Sequence, residues 1–353
     1  MGTIRMRDKN RRSYFLLMLL TIIMVVLVVI ALGFYAKQLE AIDQIQEADR
    51  ALGKYGRHFA MIVDDSGDEF WQGVYEGALK KAEESGAYLE LMGSNLSIAY
   101  SSADLMKMAI ASKVDGILIE PDGSDEMANL IDEAALSGIP VVTLLHDVAE
   151  SKRVSYIGVS YYNLGQQYAE QIATIIKSKG IADDSDFNVM VLMDNDINDS
   201  SRTIVYSTIQ DVLNSQKTIK GHVSMEARLI ESGTAFSAEE SIRNIFMSEK
   251  ELPDIIVCLD ETCSACVYQA LVDYNQVGRV ELVAYYTGAT ITSGISKNII
   301  YSTTGVDTSK MGESGVEALK EYITTGFASD YYSVDTFIVD QKSIGSYVGG
   351  ENN

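Results

Sequence analysis

Basic residues, cysteines and catalytic signatures are what this sequence has least of. Lysine and arginine number 28 against 50 acids, a formal net charge of -22. Residues 1–13 carry five bases and one acid, +4, so the -22 total leaves -26 on the rest of the chain. A surface of that sign repels nucleic acid and anionic lipid, so no nucleic-acid partner is expected. Three cysteines argue against a disulfide framework. None lies near the end of the N-terminal apolar run, which excludes a lipid-modified N-terminus. No phosphate-binding loop, Ser-His-Asp order or repeated carboxylate dyad is evident, so the chain is not expected to be an enzyme and needs no cofactor.

What is present begins with an apolar run over residues 14–35. About 20 apolar residues at ~1.5 Å rise span a hydrocarbon core of roughly 30 Å. Arg5, Arg7, Lys9, Arg11 and Arg12 precede it, and positive flanks stay cytoplasmic. The expected arrangement is a cytoplasmic basic N-terminus (1–13), a single-pass membrane anchor (14–35) and an extracytoplasmic C-terminal domain. A cleaved signal peptide is the competing reading, but the run is longer than a typical signal core and Ala31-Leu32-Gly33 is a poor cleavage site. Residues 36–56 carry Leu39, Ile42, Ile45 and Leu52, one narrow apolar stripe on a helix. That segment is either a helical spacer or a short stalk that pairs two copies; three or more heptads would be wanted for a stable coiled coil.

From Arg57 short apolar runs alternate with amphipathic segments. Phe59 to Val63 precedes a helix over 68–85, Tyr88 to Met92 one over 101–112, and Gly116 to Ile119 one over 124–137, framed by Ser124 as N-cap and Gly138 beyond the end. Val141 to Leu145 comes next. A second series starts at Asn188 to Met193 and continues through Ile255 to Leu259 and Leu282 to Tyr286. Runs apolar at every residue and separated by helices predict parallel strands buried on both faces, and roughly 300 residues call for two lobes. The expected fold is α/β, two doubly wound parallel-sheet lobes. Ligands of such sheets sit beyond the carboxyl ends of the strands. That rule selects Asp64, Asp65 and Ser66, Glu120, His146 and Asp147, the 194–199 loop, Asp260 and Glu261, and Tyr286 and Thr287.

The ordered motifs carry a resemblance. Asp68-Glu69-Phe70-Trp71 with Gly73-Val74-Tyr75-Glu76-Gly77-Ala78, then Val114-Asp115-Gly116-Ile117-Leu118-Ile119-Glu120-Pro121, Ser137-Gly138-Ile139-Pro140-Val141-Val142, Tyr156-Ile157-Gly158-Val159-Ser160 and Leu252-Pro253-Asp254-Ile255-Ile256-Val257-Cys258-Leu259-Asp260-Glu261 resemble, in sequence order, the type I periplasmic binding proteins of the ribose kind, whose fold is shared with lactose-type repressor effector domains. The resemblance covers essentially 57–339. It implies two lobes, 57–160 plus 307–332 and 161–306 plus 333–353, joined by a three-strand hinge with crossings near Ser160, Val306 and Tyr332. A repressor would carry a helix-turn-helix where this chain has its apolar run, and the acidic charge agrees in rejecting DNA.

The resemblance also implies a ligand site for a small solute, most readily a sugar. Phe70 and Trp71 match the stacking aromatics, with packing into the lobe core as the rival role. Asp64 and Asp68 match first-lobe ligand positions, although either could cap the adjoining helix. His146 stands where a charged sugar partner is common, with an ordinary surface role as its rival. Arg202 lies near the binding arginine in shifted register, and an ion pair would serve it as well. Asp260 keeps the second-lobe acid, Phe236 offers the second-lobe aromatic, and Tyr286 replaces an acid. Leu145 likewise stands where an aspartate is implied and Val306 where a glutamine is. Ribose is therefore a poor fit, and another sugar, a deoxy or N-acylated sugar, or a nucleoside or autoinducer remains open.

Two other constellations are weaker. Residues 194–199 imitate a calcium loop but lack its glycine and closing glutamate, so no metal site is expected. Cys263-Ser264-Ala265-Cys266 has metal or redox spacing without a second pair, and small core thiols fit better. The expected function is a membrane-anchored extracytoplasmic solute-binding protein that serves an ABC-type permease. The alternative is a ligand-sensing subunit that signals to a membrane histidine kinase or chemoreceptor.

Overall fold

The computed structural model describes residues 55–94, 98, 100–179, 186–194, 200–216, 222–231, 235–248 and 251–350. The expected anchor over 14–35, nearly all of the expected stalk over 36–56 and the 195–199 loop lie outside them. Among the described residues no helix is long and apolar enough to cross a membrane. The chain divides into two units, the first ending at His58 and including Gly86–Tyr88. In that unit the Tyr55 and Tyr88 rings stack at 6.2 Å and His58 lies 5.3 Å from Tyr88.

The second unit, Phe59–Ser85 with Leu89–Asn353, contains the cores of two six-stranded sheets and their helices. The first sheet uses β1 (Arg57–Ile62), β2 (Ala87–Leu91), β3 (Gly116–Ile119), β4 (Val141–Leu144), β5 (Ser155–Val159) and β11 (Tyr331–Val334) in the order β11-β5-β4-β3-β1-β2. The second uses β6 (Asp186–Asp194), β7 (His222–Ile230), β8 (Ile255–Cys258), β9 (Glu281–Tyr285), β10 (Ser302–Val306) and β12 (Thr336–Asp340) in the order β12-β10-β9-β8-β6-β7. Each is therefore doubly wound about its first strand, the α/β two-lobe architecture expected from the alternating runs. Every residue of β3, β4 and β8 is buried, as strands covered by helices on both faces must be.

The helices are α1 (Glu69–Glu84), α2 (Ser102–Ser112), α3 (Asp125–Leu136), α4 (Tyr161–Ser178), α5 (Ser200–Ser215), α6 (Ala235–Ser248), α7 (Glu261–Asp273), α8 (Ala289–Ser296), α9 (Thr308–Thr325) and α10 (Ile344–Gly350). Side-chain caps set several starts. Ser101 accepts the Asp104 N–H, Ser124 the Met127 N–H and Asp68 the N–H groups of Phe70 and Trp71. Helix α3 ends at Gly138, whose φ of +80° needs no Cβ to accommodate.

Three crossings join the lobes. Strand β5 hands over to α4 at Ser160, and β10 to α9 at Asp307. The third lies at Asp335, between β11 of the first sheet and β12 of the second, three residues beyond the expected Tyr332. The second and third crossings are tied to each other: the Asp307 N–H donates to the Asp335 carbonyl at 3.1 Å. Strand β11 runs parallel to β5, whereas β12 runs antiparallel to β10. The carboxyl ends of the two sheets face each other, so a strand leaving one sheet at that edge must enter the other against its direction.

Candidate functional site

The site is built from the segments just beyond the carboxyl ends of the strands. After β1 the chain turns through Asp64 to Gly67 into α1, and Asp68 Oδ1 accepts the Phe70 and Trp71 N–H groups at 2.8 and 3.3 Å. This cap directs both rings inward, leaving Phe70 and Trp71 only 7% and 6% exposed, edge to face at 5.0 Å. Phe70 also reaches the other lobe, meeting the buried Tyr286 ring at 5.2 Å. A polar contact accompanies it: Glu69 Oε2 accepts the Ala289 N–H at the start of α8, at 3.2 Å. A first-lobe carboxylate thus caps a second-lobe helix whose own N-cap, Gly288, has no side chain to do so.

A cavity of about 560 Å³ lies at the strand ends, lined from the first lobe by Asp64, Glu120, Asp122, His146, Asp147 and Tyr156 and from the second by Tyr161, Ser201, Arg202 and Ile204. Glu120 accepts the Asp64 N–H at 3.0 Å. Burial, with the charges of Asp64, Asp68 and Asp65 adding to it, pushes the Glu120 carboxyl up to about 7. Asp147 is held by Arg153, whose Nε and Nη2 both donate to its carboxylate while Nη1 donates to Asp330 Oδ1 at 2.7 Å. Tyr156 and Tyr161 both donate to the Leu145 carbonyl, at 2.8 and 3.3 Å.

On the second-lobe side Asp260 caps α7, accepting the Cys263 N–H at 2.7 Å. Next to it Glu261 lies so close to Gly288 that a Cβ there would sit 2.3 Å from its Oε1. Its carboxyl is pushed up to about 7 by burial first, then by Asp68, Glu69 and Asp260. Burial, with Glu261 and Asp68 contributing, also raises the Tyr286 phenol, so its hydroxyl stays protonated at any physiological pH. Tyr286 and Glu69 line a second hollow of about 680 Å³, with Thr287, Thr308 and Tyr347.

Of the residues selected in the sequence, Asp64, Glu120, His146, Asp147 and Arg202 share the first cavity. Phe70, Trp71 and Tyr286 form the aromatic contact between the lobes, and Asp68 and Asp260 serve as helix caps. Phe236, on α6, is 73% exposed and stands apart from the cavity lining. Tyr156, Tyr161 and Asp122 line the cavity without having been selected in the sequence. Tyr156 was hidden inside an apolar strand, and Tyr161 adjoins the Ser160 crossing, where only the hinge turns it toward the cleft. Among the described residues no cluster of His, Cys, Asp or Glu has metal-holding geometry.

Two facing doubly wound lobes with a three-strand hinge and a polar cleft between them define the class of bilobal binding proteins. Within it the chain belongs to the periplasmic binding protein domain family, whose pattern matches residues 59–326. The fold is similar to that of GanP, a glucose-galactose binding protein from Geobacillus stearothermophilus, with a TM-score of 0.69 at 21% identity over 82% of this chain and 99% of that one. It is also similar to an ABC transporter solute binding protein from Agrobacterium vitis bound with α-D-tagatopyranose, with a TM-score of 0.69 at 15% identity over 84% and 98%. A D-apiose import binding protein from Actinobacillus succinogenes is 25% identical over 187 residues, 47% of this chain. That match spans only 60% of the relative's length.

Proposed function

We propose that this protein is a membrane-anchored extracytoplasmic receptor that captures a neutral polyhydroxylated solute, a sugar, between its lobes for an ABC-type permease. The observation that carries this reading is the cleft cavity of about 560 Å³, lined from both lobes by hydrogen-bonding side chains. Its volume suits a small solute. Asp64, Asp122 and the partly protonated Glu120, with Asp147 already paired to Arg153, disfavour an anionic ligand such as a sugar phosphate or uronic acid. Carboxylates and a guanidinium suit paired hydroxyls. The sugar named for GanP, the tagatopyranose bound to the A. vitis protein and the apiose named for the curated relative support a sugar as the solute class.

In this reading Asp64, His146 and Arg202 bind hydroxyls, with Asp68 and Asp260 ordering the walls. Phe70, Trp71 and Tyr286 supply apolar faces, and Phe236 closes from the second lobe. The anchor over 14–35 keeps the cleft outside and near the bilayer. Closure of the lobes is the two-state element the permease reads.

A thermal-shift screen of the purified protein tests this, since a ligand that binds only the folded state raises apparent stability. Neutral sugars are expected to raise Tm and sugar phosphates to leave it unchanged. Trp71→Ala and Arg202→Ala are expected to weaken the shift with the fold retained. A broad panel of sugars, nucleosides and polyols without any shift would falsify the receptor reading.

The apolar stripe over 36–56 favours a second use of the same closure, relay to a membrane histidine kinase or chemoreceptor, with the stalk pairing two copies. Loss of ligand uptake on deletion of the gene supports transport. Intact uptake with a lost transcriptional response supports relay.

A further inference from the structure

Two of the three cysteines meet in the interior of the second lobe, in chemistry that solute capture does not use. Cys258 ends β8 and Cys263 lies in the first turn of α7, both fully buried, with their Sγ atoms 3.0 Å apart. The spacing of Cys263 and Cys266 suggests those two as partners, yet the fold brings Cys263 to Cys258. The reason is the Asp260 cap, which turns α7 back over the end of its own strand. Cys258 is fixed independently: the Tyr168 hydroxyl donates to its carbonyl at 2.9 Å, and its backbone is in register with Leu192 of β6. Neither backbone depends on the sulfur contact for its position.

We propose that Cys258 and Cys263 are a disulfide-forming pair, closed as the lobe folds in an oxidising medium, with Cys266 left as a thiol. The two thiols give up two protons and two electrons, and one S–S bond forms. The oxidant is another disulfide, glutathione disulfide or that of an oxidoreductase, and it leaves as two thiols. A disulfide needs about 2.05 Å between sulfurs, so the pair has to close only about 1 Å from contact. Burial of both sulfurs means that oxidation precedes the closing of α7 over β8 and that reductants are afterwards kept out. The covalent ring contains Asp260 and Glu261 and therefore holds the second-lobe edge of the cleft.

The full-length protein is to be refolded from guanidinium into detergent with reduced and oxidised glutathione, and the refolded fraction isolated by size exclusion. It is then denatured, alkylated with N-ethylmaleimide and digested with trypsin, which releases all three cysteines in one peptide, residues 251–279. A single adduct on Cys266, in a peptide two hydrogens lighter, is expected. Cys266→Ser is expected to retain the bond and take up no adduct. Three adducts in the wild type, or an adduct on Cys258 or Cys263 with Cys266 engaged, overturns the assignment. The bond is read without any solute, so its failure leaves the receptor reading to its own test.

Discussion

Each lobe packs its crossover helix against the helix after its first strand, and glycine makes both contacts possible, but the two differ in tolerance. In the first lobe α9 meets α1 backbone to backbone: a Cβ at Gly312 would sit 1.9 Å from the Val74 carbonyl oxygen, and one at Gly77 2.1 Å from that of Ser309. In the second lobe α4 meets α5 at Gly165, where a Cβ would lie 2.7 Å from the Thr208 Cβ and 3.0 Å from the Val205 carbonyl oxygen. Thr208 Cβ is fixed to its own helix, so either contact is relieved only by moving a helix, and the overlap to be relieved is deeper in the first lobe. The first lobe is therefore the more rigidly specified of the two.

That contrast breaks first at the glycines. Gly312→Ala is expected to destabilise the fold by about 3 kcal/mol or more, and Gly165→Ala by about 1 kcal/mol, in denaturant unfolding. Equal costs would remove the distinction between the lobes.

The sixth strands differ too. Strand β12 is held by an antiparallel register along the whole of β10, whereas β11 relies also on Arg153, whose side chain is 6% exposed and bridges Asp147 and Asp330. Arg153→Ala is expected to cost about 2 kcal/mol, because Asp147 loses a partner in a partly enclosed site and the β11 entry loses its tie. Urea unfolding of wild type and variant measures it.

The cleft carboxylates sharpen the comparison across the hinge. Glu120 of the first lobe and Glu261 of the second are both raised from 4.5 to about 7. Between those values the folded chain holds protons that the unfolded chain has released. Stability contributed by these two groups is therefore fully present below about pH 4.5 and falls as pH rises toward 7. Tm of the ligand-free protein is expected to decline over that window, and Glu120→Gln or Glu261→Gln to flatten the decline. A Tm that rises with pH over the same window, unchanged in either variant, would contradict the burial of both groups.

The smallest effect concerns two equivalent turns. Leu145 after β4 and Tyr286 after β9 have φ of +64° and +66°, and each donates its N–H to the neighbouring strand, to the Ile157 and Thr304 carbonyls at 2.8 Å. Asp and Asn tolerate this left-handed region, where Leu and Tyr are strained. Leu145→Asn is expected to stabilise by about 1 kcal/mol in thermal unfolding. Tyr286→Asn gains the same relief but loses the buried ring against Phe70, and is expected to be destabilising overall.

Strand runs such as Gly116 to Ile119 and caps such as Ser124 were legible because burial on both faces and an N-cap oxygen leave local marks. Strand β7 was not, since as an edge strand it alternates polar and apolar residues from His222 to Leu229 and lacks the unbroken apolar run by which the central strands were recognised. In the site, Asp64 and His146 could be chosen from their places after strands. The Glu69 cap on α8 joins residues 220 positions apart and leaves no such mark.

By itself the sequence determined the acidic balance, the apolar N-terminal run and the two series of buried strands, because these derive from composition and local periodicity, and its ordered motifs carried the family resemblance. Only the tertiary structure decided which carboxylates face one another, which cysteines touch and which aromatic rings meet across the hinge. Those facts depend on three crossings that bring distant strand ends within a few ångströms, a distance that sequence separation does not encode.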